Sequence, residues 1–389
     1  MLSLKNKVIE NVVIIGGGRW ARVIIEVLCD ILNPSSNILI YSPHNYLLMN
    51  EWILENKAEK RIKILRRFPI SFPTHQKVII ANAAKDHYKS ALMAIRSGAE
   101  VLVEKPVALN YKQAEEIYNF AKKNNKIVCA SHVFLFASYI KNFHNLIKDS
   151  GKIEKIRILW EDPVIERRHG ELKKFDDGLP VIADCLPHAL SIISMFAPIN
   201  ISYKIIKLQI HNGGSKVNIN IESSGIPIEI CLIRNGSQRT RIVEILVEEK
   251  KNTLDFSTEP GIIKLGNKKI SGDLNWDHEP KPLKQLLSSF LSGANDKQFD
   301  RRLDFKFGVQ FSKLIDDLLR IYKKSQLKWI INSIESENVL NQDLVYAINE
   351  LNISNGLKLN LNMNDLNLDN EIKTSLLKIF NKLLIYNKT

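Results

Sequence analysis

Cysteine is scarce: Cys29, Cys129, Cys185 and Cys231 are the only four in 389 residues, far apart and with no CxxC pair. This spacing excludes a zinc ribbon or a disulfide framework and points to reduced thiols in apolar surroundings, as in a cytoplasmic protein. Long hydrophobic runs are also missing. The N-terminal "NVVII" meets three glycines at once and is too short for a signal-peptide core or a membrane span, so no membrane partner is expected. Histidines and acids show no metal-ligand spacing, and no metal is expected. What remains, 45% hydrophobic and 25% charged residues, is the composition of a folded globular protein. Its length calls for more than one core.

The formal charge is +13. The basic residues are scattered, "RIKILRR" and "ERRHGELKK" are short clusters, and no nucleic-acid motif accompanies them, so nucleic acid is not expected as a partner. An anionic ligand or a lysine-rich composition each accounts for the excess.

From Val12 the chain reads "VVIIGGGRWARVIIEVLCDIL": a continuous apolar run, a glycine turn, then apolar positions at helical spacing. Strand patterns recur in "NILIYS", "RIKILRRF", "KVIIAN", "AEVLVEKP" and "KIVCASHVF", with helix-length or loop-length segments between. The pattern predicts a Rossmann-type, doubly wound α/β domain over 1–135. Beyond it, "KIEKIRILWED", "ISYKIIKLQI", "SKVNINIES", "IPIEICLIRNG", "QRTRIVEILVEE" and "NTLDFS" follow one another mostly through short turns. They predict an α+β domain with an open, mainly antiparallel sheet over 136–325. Residues 326–389 are asparagine-rich and form a small extension, with an alternating "GLKLNLNMN" and a closing helix in "NEIKTSLLKIFNKLLIY".

Gly16, Gly18 and Ala21 make G-x-G-x-x-A between a strand and a helix. The first glycine permits the turn, the second lets a pyrophosphate approach the backbone, and the small third residue lets the helix pack on the strand. The alternative is a glycine turn that no longer binds its cofactor. The second strand ends in "IYSPHN", without the acid that would accept the ribose hydroxyls of NAD. Ser42 and His44, with Arg19 as ion partner, instead suit the 2′-phosphate of NADP, with NAD as the other possibility.

The glycine turn, "VIIANAAKDH" with its helix, and "GAEVLVEKPVAL" together resemble the Gfo/Idh/MocA family of NAD(P)-dependent oxidoreductases (glucose-fructose oxidoreductase, inositol dehydrogenase, rhizopine catabolism). The resemblance runs from about Val12 to about Lys324. It implies that Lys105 contacts the reacting group and helps move its proton, with Glu104 and Pro106 shaping the turn. Trp20, Asn82, His87 and Glu104 join the glycine turn as expected cofactor contacts. "GLPVIADCLPHALSIISMF" resembles the family's sheet-domain helix, in which Asp184 and His188, four residues apart on one helical face, are directed at the active site. Histidine exchanges protons near neutral pH, and the carboxylate orients it or anchors substrate.

Departures fall on groups that bind sugar hydroxyls. Leu186 replaces a frequent glycine, Ser191 a frequent aspartate and Leu135 a frequent arginine, and the usual Thr-Pro is missing from "ANAAKDH". His132, Arg167, Arg168 and His169 are candidate substrate contacts. The expected activity is hydride transfer to or from a carbonyl or alcohol carbon of a sugar, nucleotide sugar or polyol. Two alternatives stand beside it: reduction of an imine or carbonyl intermediate in a specialised pathway, with a carrier or partner protein, and a noncatalytic dinucleotide-binding sensor or scaffold. The resemblance also implies a homo-oligomer, a dimer or tetramer.

Overall fold

The computed structural model describes residues 11–73, 75–168, 171–172, 175, 178–199, 202–293, 299–336, 342–355, 374 and 377–383. Two compact units divide the chain: residues 1–141 with 275–313, and 142–274 with 314–389.

The first unit alternates strands and helices: β1 (Asn11–Ile15), α1 (Arg19–Ile31), β2 (Asn37–Tyr41), α2 (Tyr46–Glu55), β3 (Ile62–Ile64), β4 (Lys77–Ile80), α3 (His87–Arg96), β5 (Glu100–Glu104), α4 (Tyr111–Lys123) and β6 (Val128–Ser131). All six strands pair in parallel in the order β3-β2-β1-β4-β5-β6. A parallel sheet is covered on both faces, and this explains why its strands read as unbroken apolar runs. Val13, Ile15, Val78, Ile80, Val101 and Val103 pack with Ala91, Ile95, Ala114 and Ile117 of α3 and α4. Val12, Ile14, Ile79 and Leu102 alternate with them and are equally buried. Each such side chain contributes about 1.5–3 kcal/mol on leaving water. The chain runs outward from β1 to β3, then restarts at β4 and runs the other way. The switch point between β1 and β4 is where open α/β sheets bind ligands.

After α5 (Ser138–Ile147), the second unit is built on β7 (Ile153–Pro163). A short ribbon of β8 (Arg167–Arg168) and β9 (Glu171–Leu172) follows, then α6 (Val181–Ile193), β10 (Tyr203–His211), β11 (Lys216–Ser223), β12 (Ile226–Gly236), β13 (Thr240–Val247), β14 (Lys250–Asp255), β15 (Ile262–Leu265) and β16 (Lys268–Ser271). The eight-stranded sheet has the order β10-β11-β12-β7-β13-β14-β15-β16, antiparallel except for the β12–β7 pair. Residues 275–313, with α7 (Pro282–Ser292), belong to the first unit, where Lys77 Nζ donates to the Gly293 carbonyl at 2.7 Å.

Helix α8 (Phe305–Glu335) runs unbroken for 31 residues, and α9 (Gln342–Asn355) follows it. Leu327, Ile330, Ile334, Leu344, Ile348, Leu351 and Phe380 form one core, so the described part of 326–389 is built into the second unit. The expected "GLKLNLNMN" strand lies outside the described residues, and residues 377–383 of the expected last helix are helical.

Candidate functional site

In the first unit the candidate residues gather at the C-terminal ends of β1, β2, β4, β5 and β6. Gly16 follows β1 with φ +138°, donates its N–H to the Tyr41 carbonyl at 3.0 Å, and leaves no room for a Cβ, which would stand 2.5 Å from the Ala81 carbonyl oxygen. Gly17 is backed by Ser42, whose Oγ would lie 2.4 Å from an added Cβ. Ser42 is accordingly buried under the turn, whereas His44 is exposed. Gly18 faces open space and caps α1 without a side-chain hydrogen bond, and no acid occupies the first turn. An uncapped helix N-terminus beside an open glycine is a fit for a pyrophosphate, through both the amide N–H groups and the helix dipole. Ala21 is fully buried, as close packing of helix on strand requires, and Arg19 is half-buried at the start of α1.

Beside this turn, Glu104 ends β5 as a buried carboxyl. It accepts from Ser131 Oγ at 2.6 Å, from the Trp20 indole and from the Lys105 backbone N–H at 3.3 Å. Burial pushes its pKa up, against the pull of these donors and of the Lys105 charge. Trp20 and Glu104 thus bond to each other and tie α1 to the "EKP" turn. Lys105 is half-exposed, and the Lys105–Pro106 peptide is cis.

His87, on the far side of the turn, is buried, with Nδ1 2.7 Å from the Pro106 carbonyl and Nε2 3.1 Å from that of Asn82. Burial lowers its pKa, and a neutral ring has one N–H to give, which the shorter contact assigns to Pro106. His87 therefore acts as a clamp joining the end of β4 to Pro106. Asn82 Nδ2 donates to Ser90 Oγ at 2.9 Å, and its buried Oδ1 has no partner among the described residues. His132, just beyond β6, is 2% exposed and packs edge-on against Phe311 with ring centroids 4.9 Å apart. Neither ring nitrogen has a partner among the described residues, and burial pushes its pKa down to about 3. A substrate contact by this residue would require its ring to be uncovered.

The second unit holds the other candidates. Every residue of α6 is buried except Asp184 and His188, so the i, i+4 pair forms the accessible part of an otherwise enclosed helix. Pro187 lies between them and has no N–H for the carbonyl one turn back. His188 stacks on Trp160 of β7, with centroids 5.2 Å apart and planes 17° from parallel. Trp160 also carries the Arg241 guanidinium 3.8 Å from its ring centre, and Arg241 is itself paired with buried Asp162. Asp184 Oδ2 accepts from Arg234 Nη2 at 3.0 Å.

Trp160, Asp162, Arg234 and Arg241 were not among the sequence candidates. Strand parity carries the signal. Arg234 continues the buried series Ile228, Ile230, Leu232, Arg241 opens the series Val243, Ile245, Val247, and Trp160 and Asp162 follow Ile156 and Ile158. Arg167 is exposed on the β8–β9 ribbon, which also contains Arg168, and His169 lies outside the described residues.

Residues 10–132 match the model of an oxidoreductase family with an NAD-binding Rossmann fold, Gfo/Idh/MocA. The chain carries the nucleotide domain of the Gfo/Idh/MocA oxidoreductases. No curated protein matches it in sequence. Among solved structures it is similar to UDP-N-acetylglucosamine 3-dehydrogenase from Acidithiobacillus ferrooxidans, with TM-score 0.62, 15% identity, 80% of this chain and 97% of that one. It is also similar to biliverdin reductase from Synechocystis in complex with biliverdin and NADP+, with TM-score 0.61, 15% identity and 80% and 98% coverage. A 3-ketoreductase from Actinomadura kijaniata, solved with NADP and TDP-benzene, gives TM-score 0.61, 13% identity and 79% and 95% coverage. At these identities the likeness is one of fold, and it extends over the Gfo/Idh/MocA domain and well into the sheet unit. No described helix is long and apolar enough to cross a membrane, and no group of metal-ligating side chains occurs among the described residues.

Proposed function

We propose that the protein is an NADPH-preferring oxidoreductase acting on a carbonyl or alcohol carbon of a sugar, nucleotide sugar or polyol. The observation that carries this reading is the run of structure from the uncapped N-terminus of α1, through the Trp20–Glu104 hydrogen bond, to Lys105. An open, uncapped helix N-terminus and an ionisable lysine at one edge of one sheet support it. Gly16, Gly18 and the first-turn amides would hold the pyrophosphate, and Arg19 with exposed His44 would meet a 2′-phosphate. Ser42 would contribute mainly by shaping the turn, since it is buried beneath Gly17.

When bound, the nicotinamide supplies or accepts the hydride. Lys105 would hold the proton at Nζ for the substrate oxygen, with Glu104 tempering its charge from behind. His188 would exchange a proton, its ring plane set by Trp160, and Asp184 would orient it or anchor a hydroxyl. The similar dehydrogenase and reductases support this reaction class. A cytoplasmic homo-oligomer is the setting we infer, in keeping with four free thiols.

A second reading, reduction of a less hydroxylated carbonyl or imine, is favoured by Leu135 and Leu186. Both positions often bear other groups in the family, and both are here buried apolar side chains.

Parallel titrations with NADPH and NADH, followed by quenching of tryptophan emission, test the proposal. NADPH should bind more tightly, and Arg19→Ala with His44→Ala should erase the preference. Absence of binding to either would overturn the enzyme reading. Lys105→Ala should bind NADPH normally and abolish turnover of any substrate found by screening.

A further inference from the structure

Arg19 follows β1 and His44 follows β2, so both would meet a 2′-phosphate from one side. On the other side stands β3, the outermost strand, which pairs with β2 alone. The two run parallel, with Ile38 opposite Ile62 and Ile40 opposite Ile64, and the Leu65 N–H donates to the Ile40 carbonyl at 2.7 Å. Continued by two residues, this register sets Arg66 opposite Ser42. Parity assigns both to one face of the sheet. Ser42 follows Ile38 and Ile40, and Arg66 follows Ile62 and Ile64, whereas Leu39, Tyr41 and Leu65 pack into the core of the opposite face. A Cβ added at Gly17 would strike Ser42 and Met49 of α2, so the Ser42 face is also the one on which the glycine turn rests.

Arg66 is exposed and has neither an ion-pair nor a hydrogen-bond partner among the described residues. Most such arginines are solvated surface charges. This one differs in its place and in its backbone. Opposite it, β2 ends in "SPHN", without an acid to engage it. Just beyond it the chain bends, and the Phe68 ring meets Tyr41 edge-on with centroids 5.4 Å apart. Ser97 Oγ then donates to the Pro69 carbonyl at 3.0 Å, and the Phe72 N–H to the Ser97 carbonyl at 2.8 Å. With the backbone fixed on both sides, only the Arg66 side chain has to be ordered when an anion binds.

We propose that Arg66 is a specificity-determining residue that holds the 2′-phosphate of NADPH from the β3 side, closing a clamp with Arg19 and His44. This rests on the NADPH preference proposed above. Neighbouring strands lie about 4.8 Å apart, so the long arginine side chain has one strand to cross to reach the position over Ser42. A guanidinium offers paired N–H donors to phosphate oxygens. NADH carries a neutral hydroxyl at that place and gains nothing from the charge. A phosphate held between two jaws is lost when either opens, so the preference depends on Arg66 as it does on Arg19 and His44.

The test is titration of the full chain and its variants with NADPH and NADH, followed by tryptophan quenching. Arg66→Ala should lose about tenfold or more in NADPH affinity and bind NADH like the wild type, and Arg66→Lys should keep part of the preference. Arg67→Ala is the control: it removes the same charge one residue on, at the opposite parity, and should change the preference by no more than about twofold. The proposal is overturned if Arg66→Ala keeps the wild-type preference, if it weakens both cofactors equally, as a structural role would, or if Arg67→Ala matches it, as a general positive field would. Failure of the underlying reading looks different. In that case the wild type itself binds neither cofactor or binds both alike, and the clamp falls with it.

Discussion

Two glycines of the same turn should fail in opposite ways when given a methyl group. At Gly16 the added Cβ would lie 2.5 Å from the Ala81 oxygen, 2.6 Å from its carbonyl carbon and 2.8 Å from the Asn82 nitrogen, all backbone atoms at the end of β4. The φ of +138° adds strain of about 1–3 kcal/mol, and the overlap must be relieved by moving β1 away from β4. A total cost of about 2–4 kcal/mol corresponds to a fall in unfolding midpoint of roughly 4–16 °C for a unit of this size. Gly18 has φ −80° and ψ −179°, which any residue adopts, and its Cβ would meet nothing within 4 Å. Alanine there gains about 0.4–1 kcal/mol from the unfolded chain and loses a comparable amount as a poorer N-cap. Gly18→Ala should therefore unfold like the wild type and lose NADPH affinity by about tenfold or more, because the methyl enters the space over the uncapped amides. Thermal melts followed by circular dichroism, with NADPH titrations on the same samples, read both quantities. If Gly18→Ala binds NADPH like the wild type, the cradle assigned here is not the pyrophosphate site.

Other outcomes follow from buried charge. Lys77 and Glu100 pair at 2.5 Å at 2% and 6% exposure, and His75 Nδ1 holds the other Glu100 oxygen at 2.7 Å, so Lys77→Met should cost about 2–4 kcal/mol in urea titration by leaving the buried glutamate with His75 alone, and adding Glu100→Met should restore most of it. His132 and His87 are held below their usual pKa by burial, so the unfolded chain binds protons that the folded chain refuses. Stability should be full above about pH 6.5 and decline as pH falls toward 3, and His132→Leu should flatten that slope; a His132 ring signal titrating near 6.5 would refute this. The cofactor preference carried by Arg19 and His44 completes the set.

Much of the first unit was legible because its signals are local. Unbroken apolar runs mark strands buried on both faces, and the glycine turn and "EKP" lie at their ends. In the second unit, six strands were readable from alternation, but β15 and β16 were not. "IIKLGNKKIS" carries exposed lysines on two short strands, the second of them the sheet's edge, and buries little. The support for Asp184 and His188 is of another kind. Arg234 meets Asp184 across 50 residues of chain, and Arg241 meets Asp162 across 79. Parity says only that these arginines face inward; which partner they find depends on strand order, and the parallel β12–β7 pairing is not written in either strand. The boundary expected near residue 325 was also misleading, since α8 has no proline or glycine there and continues to Glu335. The return of residues 275–313 to the first unit has no local marker at all.

The place of β7 in its sheet bears on how the protein is made. This strand is the first of the eight to leave the ribosome, yet its two neighbours, β12 and β13, begin only at Ile226 and Thr240. At typical elongation rates of about 5–20 residues per second, an eleven-residue strand containing Ile156, Ile158 and Trp160 stays without either ladder for several seconds. An open apolar edge of that length is a template for wrong pairing with other chains. Translation halted between β7 and β12 should therefore yield insoluble fragments, whereas a chain released after β13 should stay in solution.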